Sequence, residues 1–291
     1  VRSVRLRRRR REGGGMTIRP ACKIHGGKFY LAKRIVSEMR PHSTYVETHG
    51  GMASVLLNKP PSPVEVYNDL DDEVVNFFRV LRDRPEVLIH KLTLTPYAQE
   101  EFDAARQADE YQFALVSTST PFTPPDEVEL ARRFFVLARM SLGGRAESFS
   151  YTKHRVRRGM ADVVSGYLSA IDQELPEIVE RLRQVQIVNM DALDCIRRWD
   201  GPNTLFYSDP TYLPSTRTSP KVYRREMTEE QHVALANALN QIQGKAIVSG
   251  YPSELYERLY SAWRRQDFDI ANHAAGGDEK RRMTEVLWMN Y

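Results

Sequence analysis

Cysteine is nearly absent from this 291-residue chain, which has only Cys22 and Cys195. They lie far apart and lack the Cys-x-x-Cys or Cys/His spacing of a zinc site. Neither a disulfide framework nor a metal centre is expected, and both read as reduced thiols. Long apolar runs are missing too. Stretches such as Val55 to Leu57 or Ala114 to Val116 fall far short of the roughly 20 residues that cross a bilayer. No apolar segment follows the basic N-terminus, as a secretory leader requires. A soluble cytoplasmic protein with no membrane partner is the expectation. No self-similarity recurs at a period of roughly 20 to 50 residues, which sets aside solenoids and propellers. A large excess of one charge is also lacking: 42 Lys and Arg stand against 38 Asp and Glu, a net of +4. That alone is weak evidence for a polyanionic partner.

What is present suffices for a real core, with 41% apolar and 10% aromatic residues, in one large or two modest domains. Seven arginines crowd the first eleven residues, and Gly13 to Gly15 separate them from Met16. Such a run either grips phosphates or is a disordered upstream extension; the second reading is taken, with the folded protein starting near Met16.

The remainder has an interrupted α/β pattern. Thr44 to Glu47 is short and β-prone, the pair Gly50 and Gly51 follows, and Met52 to Asn58 reads as the opening of a helix. Val64 to Asn68 is a second strand ending in Asp69, Asp71 and Asp72, after which Val74, Phe77, Phe78 and Leu81 have the spacing of a helix over Glu73 to Arg82. From about Pro85 to Leu182 the texture becomes long charged helical patterns, notably Glu127 to Met140 and Gly159 to Ala170, broken by a Ser/Thr/Pro-rich loop at Ser117 to Pro125. Strand signals resume at Val185 to Asn189, Thr204 to Ser208, Lys245 to Ser249 and Glu285 to Asn290, with a helix over Glu229 to Ile242. The predicted organisation is a basic extension (1–15), two halves of a doubly wound sheet (16–84 and 184–291) and an inserted, mostly helical domain (85–183). Ligands of open sheets like this bind at the carboxyl ends of the strands.

Three constellations stand at those ends. In Tyr45-Val46-Glu47-Thr48-His49-Gly50-Gly51-Met52, glycines at a strand exit let a ligand approach the backbone, although a glycine pair alone also describes a plain tight turn. In Asn68-Asp69, one unit later, a carboxylate is placed to accept both hydroxyls of a ribose; taken singly it is also an ordinary surface acid. In Tyr207-Ser208-Asp209-Pro210-Thr211-Tyr212, a carboxylate sits beside a proline-fixed carbonyl. An aromatic amine is a poor nucleophile because its lone pair is delocalised into the ring. Two acceptors for its hydrogens draw the nitrogen toward a tetrahedral geometry, and a neighbouring tyrosine can stack on a base turned out of a duplex. The tetrapeptide alone also fits a simple Asp-Pro turn.

Together the residues resemble a family. Lys23-Ile24-His25-Gly26-Gly27-Lys28 resembles the Lys-x-x-Gly-Gly-Lys entry motif of Dam-like DNA adenine methylases. Glu47 to Ser54 resembles their Glu-Pro-Phe-x-Gly cofactor loop, and Asp209 to Tyr212 their Asp-Pro-Pro-Tyr motif. Order and spacing match from about Met16 onward, most closely to phage or prophage members. The resemblance implies a Rossmann-like S-adenosylmethionine-dependent methyltransferase sheet, an inserted DNA-recognition domain, and transfer of a methyl group from S-adenosylmethionine to N6 of adenine in double-stranded DNA. No metal and no obligate protein partner are implied, and a monomer is expected.

Carried over by position, Lys23, Lys28, Gly26 and Gly27 would line the cofactor entrance. Glu47 with Gly50 and Gly51 would hold the methionine part, Asp69 the ribose and Asp191 the cofactor's adenine amine. Asp209, Pro210 and Tyr212 would hold the target base. The basic set Lys153, His154, Arg155, Arg157 and Arg158 near Tyr151 would meet DNA. Weaker candidates are Arg264, Arg265 and Lys280 to Arg282, with Arg217, Lys221, Arg224 and Arg225 after the catalytic motif. The sequence departs from the family at Thr48 and His49, where Pro-Phe is usual, at Thr211, where a second proline is usual, and at Ile24, where an aromatic residue is usual. The predicted costs are a polar wall against the cofactor and a looser catalytic turn. Two other readings remain: a DNA-binding protein that has lost catalysis through these changes, and a methylase of RNA or of a protein amide.

Overall fold

The computed structural model describes residues 17–22, 26–117, 126–216, 225–271 and 282–291, with backbone alone for 111–117, 270, 271 and 282. Lys23, Ile24 and His25, the arginine run, most of the loop 117–125, the cations Arg217, Lys221 and Arg224, and Lys280 and Arg281 lie outside the described residues.

In chain order the elements are α1 (Ala32–Glu38), β1 (Thr44–Glu47), β2 (Val64–Asn68), α2 (Asp72–Asp83), α3 (Pro85–Thr93), α4 (Gln99–Ser117) and α5 (Glu127–Met140). There follow β3 (Val156–Arg157), β4 (Met160–Ala161), α6 (Asp162–Ser169), α7 (Leu175–Leu182), β5 (Val185–Val188) and α8 (Ala192–Trp199). The last are β6 (Thr204–Ser208), α9 (Glu229–Leu239), β7 (Lys245–Gly250), α10 (Glu254–Leu259), β8 (Arg264–Ala271) and β9 (Arg282–Met289). Seven strands form one sheet in the order β5-β2-β1-β6-β7-β9-β8. The first five run parallel and β9 is antiparallel to both β7 and β8. This is a doubly wound, Rossmann-like α/β sheet whose order turns back at β1, the switch point where ligands bind.

Successive side chains of each strand face opposite sides, so the sheet divides the core in two. Tyr45, Tyr67, Leu205, Ile247 and Leu287 face a cluster completed by α2, α3, α5 and α7. Val46, Val66, Phe206, Val248 and Trp288 face another, made with α8, α9 and α10. The helices of residues 85–183 therefore share a core with the sheet: Phe135 of α5 lies 6.2 Å from Phe77 of α2 and 5.7 Å from Tyr167 of α6. A buried ion cluster joins the same parts. Glu65 of β2 accepts from Lys59 Nζ at 2.6 Å and from Arg181 of α7 at 2.5 and 2.7 Å.

Two local expectations fail. Met52 to Asn58 forms a turn instead of a helix, because Ala53 takes φ 54° and Pro60-Pro61 ends any continuation. The pattern Gly159 to Ala170 opens as β4 and becomes helical only at Asp162. The helix predicted at Glu127 to Met140 forms with those bounds. Among the described residues no helix is long and apolar enough to cross a membrane.

Candidate active site

Because β1, β2, β5 and β6 are parallel, their carboxyl ends open on one edge, and the loops leaving them surround a cavity of about 230 Å³. Asn68 stitches three of these ends together. Its amide donates to the carbonyls of Thr48 (2.9 Å) and Met190 (3.1 Å) and accepts from Met190 N (3.0 Å). The glycine turn is equally specified. A Cβ on Gly50 would fall 2.2 Å from the Tyr67 ring, whose hydroxyl donates to the Gly51 carbonyl at 2.7 Å. Gly51 itself has φ 47°, a conformation that favours glycine.

Asp69 receives backbone N–H groups from Gly51 on Oδ2 (2.7 Å) and from Asp71 on Oδ1 (2.9 Å). Its carboxylate therefore shapes the glycine turn, with one further lone pair on each oxygen toward the cavity it lines. Burial raises its carboxyl above the ordinary range, against those two hydrogen bonds. Asp191, exposed at the rim, caps α8 by accepting from Leu193 N at 2.8 Å. Glu47 is buried on the cavity wall. Its Oε1 accepts from the Tyr45 hydroxyl (2.8 Å) and Leu56 N (2.7 Å), while Oε2 is buried with no partner among the described residues. Burial pushes its carboxyl up to about 8, the two hydrogen bonds opposing.

Asp209, Pro210 and Thr211 line the same cavity. Asp209 Oδ1 accepts from Ser249 Oγ at 2.8 Å and pairs with Lys28 Nζ at 2.9 Å. Both contacts fall on Oδ1 of a residue that lines the cavity. Lys28 is 4% exposed; its ammonium also donates to the Gly26 carbonyl (2.8 Å), lies 3.6 Å from Glu285 Oε1 and caps the Tyr212 ring at 4.6 Å. Burial alone would lower its pKa, but Asp209 and Glu285 hold it well above the ordinary value. Gly26 and Gly27 line the cavity beside it. The expectation for Tyr212 needs adjustment. The ring is buried, capped by Lys28 and packed edge-on to Tyr251 at 4.4 Å, and its hydroxyl donates to Glu285. It is thus a packed element of the loop after β6, with Lys28 on one face of the ring.

The departures from the family pattern have new partners. The Thr48 hydroxyl bonds Ser208 Oγ at 2.7 Å and His49 Nδ1 at 2.9 Å, tying the cofactor loop to the strand that delivers Asp209. Burial pushes the His49 ring down to about 4, with His232 acting in the same direction, so the ring is neutral at neutral pH. Thr211 Oγ1 accepts from Met227 N at 3.0 Å, which restrains the turn that the missing proline would have stiffened. Arg225, on the cavity wall, lies 3.7 Å from Asp72.

Of the basic set, Lys153, His154 and Arg155 lie on the irregular segment before a β-hairpin, and Arg157 and Arg158 lie on the hairpin itself. β3 and β4 pair through Arg158 (φ 56°) and Gly159 (φ 76°), the two left-handed residues of a tight hairpin turn. Lys153, Arg155, Arg157 and Arg158 are exposed, as are Tyr151 and Val156, and Arg158 also donates to Ser169 Oγ of α6 at 2.5 Å. Arg264 and Arg265 are engaged with Glu38, Glu257 and Asp267.

Residues that sequence reasoning passed over include Ser249 and Glu285, both beside Asp209. A lone acid inside the apolar strand Glu285-Val286-Leu287-Trp288 was the available signal for the second.

The geometry now stands beside what the chain is similar to. A Type II methyltransferase of Lactococcus lactis subsp. cremoris, M1.LlaDCHI, is 24% identical over 288 residues, 95% of this chain and 96% of that protein. Among solved structures, a conserved hypothetical protein of Streptococcus pyogenes aligns over 91% of this chain and 96% of its own at 9% identity, TM-score 0.33. The rRNA methyltransferase AviRa of Streptomyces viridochromogenes aligns over 90% and 84% at 12% identity, TM-score 0.37. Both scores are too low to bear on fold or function. The family model for D12 class N6 adenine-specific DNA methyltransferases matches residues 25–274, and the chain belongs to that family.

Proposed function

We propose that, within this family's reaction of DNA adenine N6 methylation, Asp209 and the Pro210 carbonyl accept the two N–H groups of a target adenine turned out of duplex DNA. The observation that carries the assignment is the one-sided anchoring of Asp209. Lys28 and Ser249 hold Oδ1, so Oδ2 is the oxygen assigned to the substrate in the cavity that Glu47 and Asp69 also line. S-adenosylmethionine, when bound, supplies a methyl group on a positively charged sulfur. The residues fit its donor set: the unpartnered Glu47 Oε2 suits an ammonium, and Asp69 and Asp191 keep lone pairs for ribose hydroxyls and an adenine amine. As the target nitrogen gains its fourth substituent it must lose a proton, and Asp209 Oδ2 is the acceptor in reach. No nucleophilic side chain is required; alignment and charge placement lower the barrier.

The helical region 85–183, with Arg157 on its hairpin and Lys153 and Arg155 just before it, is the proposed reader of DNA. Arg158, bonded to Ser169, contributes to the hairpin's shape and not to phosphate contact. Lys23 keeps its assignment at the cofactor entrance on the resemblance alone.

The test is transfer of labelled methyl from S-adenosylmethionine to unmethylated bacterial DNA, followed by nucleoside analysis. The wild-type chain forms N6-methyladenine, and Asp209→Ala, folded by circular dichroism, loses at least two orders of magnitude in rate. Activity retained in that variant refutes the acceptor assignment.

A further inference from the structure

Glu285 is a costly group to bury. It sits in mid-strand on β9, 1% exposed, with Oε2 lacking any partner among the described residues. A carboxylate kept only for packing is disfavoured at such a position, where an apolar side chain of similar volume serves as well or better. Both partners of its other oxygen belong to the catalytic loop or its cation: Tyr212 donates its hydroxyl to Oε1, and Lys28 Nζ lies 3.6 Å away.

We propose that Glu285 is a positioning residue for methyl transfer: from the last strand it holds the Tyr212 hydroxyl and the Lys28 ammonium in place beside Asp209. The proposal rests on Asp209 being the acceptor. Lys28 faces two carboxylates instead of one, so its charge is divided between them, and Asp209 keeps more of its negative charge for the substrate's N–H. Without Glu285 the ammonium would be drawn wholly onto Asp209 and would weaken it as an acceptor. The same residue orients Tyr212, two positions beyond Pro210, and so fixes the turn that carries the second acceptor. Other titratable groups around Glu285 are Tyr30 from the loop before α1 and Tyr251 from the loop after β7. Burial holds the Glu285 carboxyl above its ordinary value, opposed by Lys28 and reinforced by Asp209. Deprotonation of this cluster is therefore expected to shape the acid limb of the rate profile.

Glu285→Gln keeps the volume and one acceptor but removes the charge. The expected result is a kcat lower by about 10- to 100-fold, an unchanged dissociation constant for S-adenosylmethionine by calorimetry, and an acid limb of kcat displaced to lower pH. A purely structural role would instead lower thermal stability and cofactor affinity together, or lower kcat with an unmoved pH profile; either result overturns the proposal, as does wild-type kcat. Should Glu285→Gln fail to fold, Tyr212→Phe removes only the hydroxyl that Glu285 holds. A lower kcat at retained cofactor affinity supports the proposal, and wild-type kcat refutes it. Asp209→Ala run in parallel separates the two levels: activity there removes the underlying assignment, whereas an inactive Asp209→Ala beside a fully active Glu285→Gln removes this inference alone.

Discussion

Burial shifts two titratable groups of this site, Glu47 and His49, in opposite directions. Glu47 Oε2 has neither of its two acceptor positions filled among the described residues, and its carboxyl is pushed up to about 8 by burial. In the empty cavity at pH 7 it is therefore mostly protonated, and an ammonium bound beside it restores the charge. Cofactor binding at pH 7 should release up to one proton, measured by calorimetry in buffers of different ionisation enthalpy. The release should fade above about pH 9 and vanish in Glu47→Gln. Binding with no proton exchange at pH 7 would contradict the assignment. The same shift has a sign for stability. The native state holds a proton that the unfolded chain gives up near the ordinary value of 4.5, so this contribution is present below that value and is lost as pH rises toward 8. His49 works the other way. Its ring is neutral down to about 4, so its contribution is present above the unfolded value and is lost as pH falls from about 6.5 to 4. The polar replacement of an aromatic wall therefore adds no charge against a cationic cofactor at neutral pH.

At the scale of elements, the hairpin β3–β4 is the part most separate from the core. Its six-residue span from Val156 to Ala161 has no fully buried side chain, and its exposed cations have no acidic partner recorded among the described residues. Each exposed arginine in contact with a phosphate releases a condensed counterion on binding. Arg157→Ala should therefore weaken DNA binding at low salt and reduce the slope of log affinity against log salt by about one. Arg158→Ala should leave the slope unchanged, because that guanidinium bonds Ser169. Equal slopes for wild type and Arg157→Ala, from fluorescence anisotropy across a salt series, would remove this residue from the phosphate contacts. Arg155, Arg157 and Lys153 were legible as a basic run, but the hairpin was not. Two-residue strands have too little periodicity to separate from the neighbouring helical pattern, and only the left-handed pair Arg158-Gly159 closes them.

For the molecule as a whole, the sheet and the helical region fold as neighbours in one core, and the Lys59–Glu65–Arg181 cluster marks their joint. Burial alone would raise the Glu65 carboxyl, but Arg181 and Lys59 hold it below the usual range. Its contribution is thus present above the unfolded value near 4.5 and is lost as pH falls through the lowered one. Glu65→Gln leaves two cations facing a neutral amide and should cost about 3 kcal/mol of stability at pH 7, read as a lower urea midpoint with a single transition. Two separate transitions in the variant would mean that the helical region and the sheet unfold independently. No change in midpoint would mean that the cluster is silent.

The sequence by itself determined the strands at Thr44–Glu47, Val64–Asn68 and Thr204–Ser208, the acid or glycine ending each one, and the order of motifs, because strand alternation and turn chemistry are local properties. It could not place Ser249 and Glu285 beside Asp209, 40 and 76 positions away. Those contacts depend on β7 lying next to β6 and on the antiparallel entry of β9, and strand order follows from how the whole chain packs. The same holds for Lys28, which the motif assigned to the cofactor entrance and whose ammonium the fold delivers to Asp209. Local pattern named the candidate groups; tertiary structure decided that Lys28 and Ser249 both hold Oδ1 of Asp209.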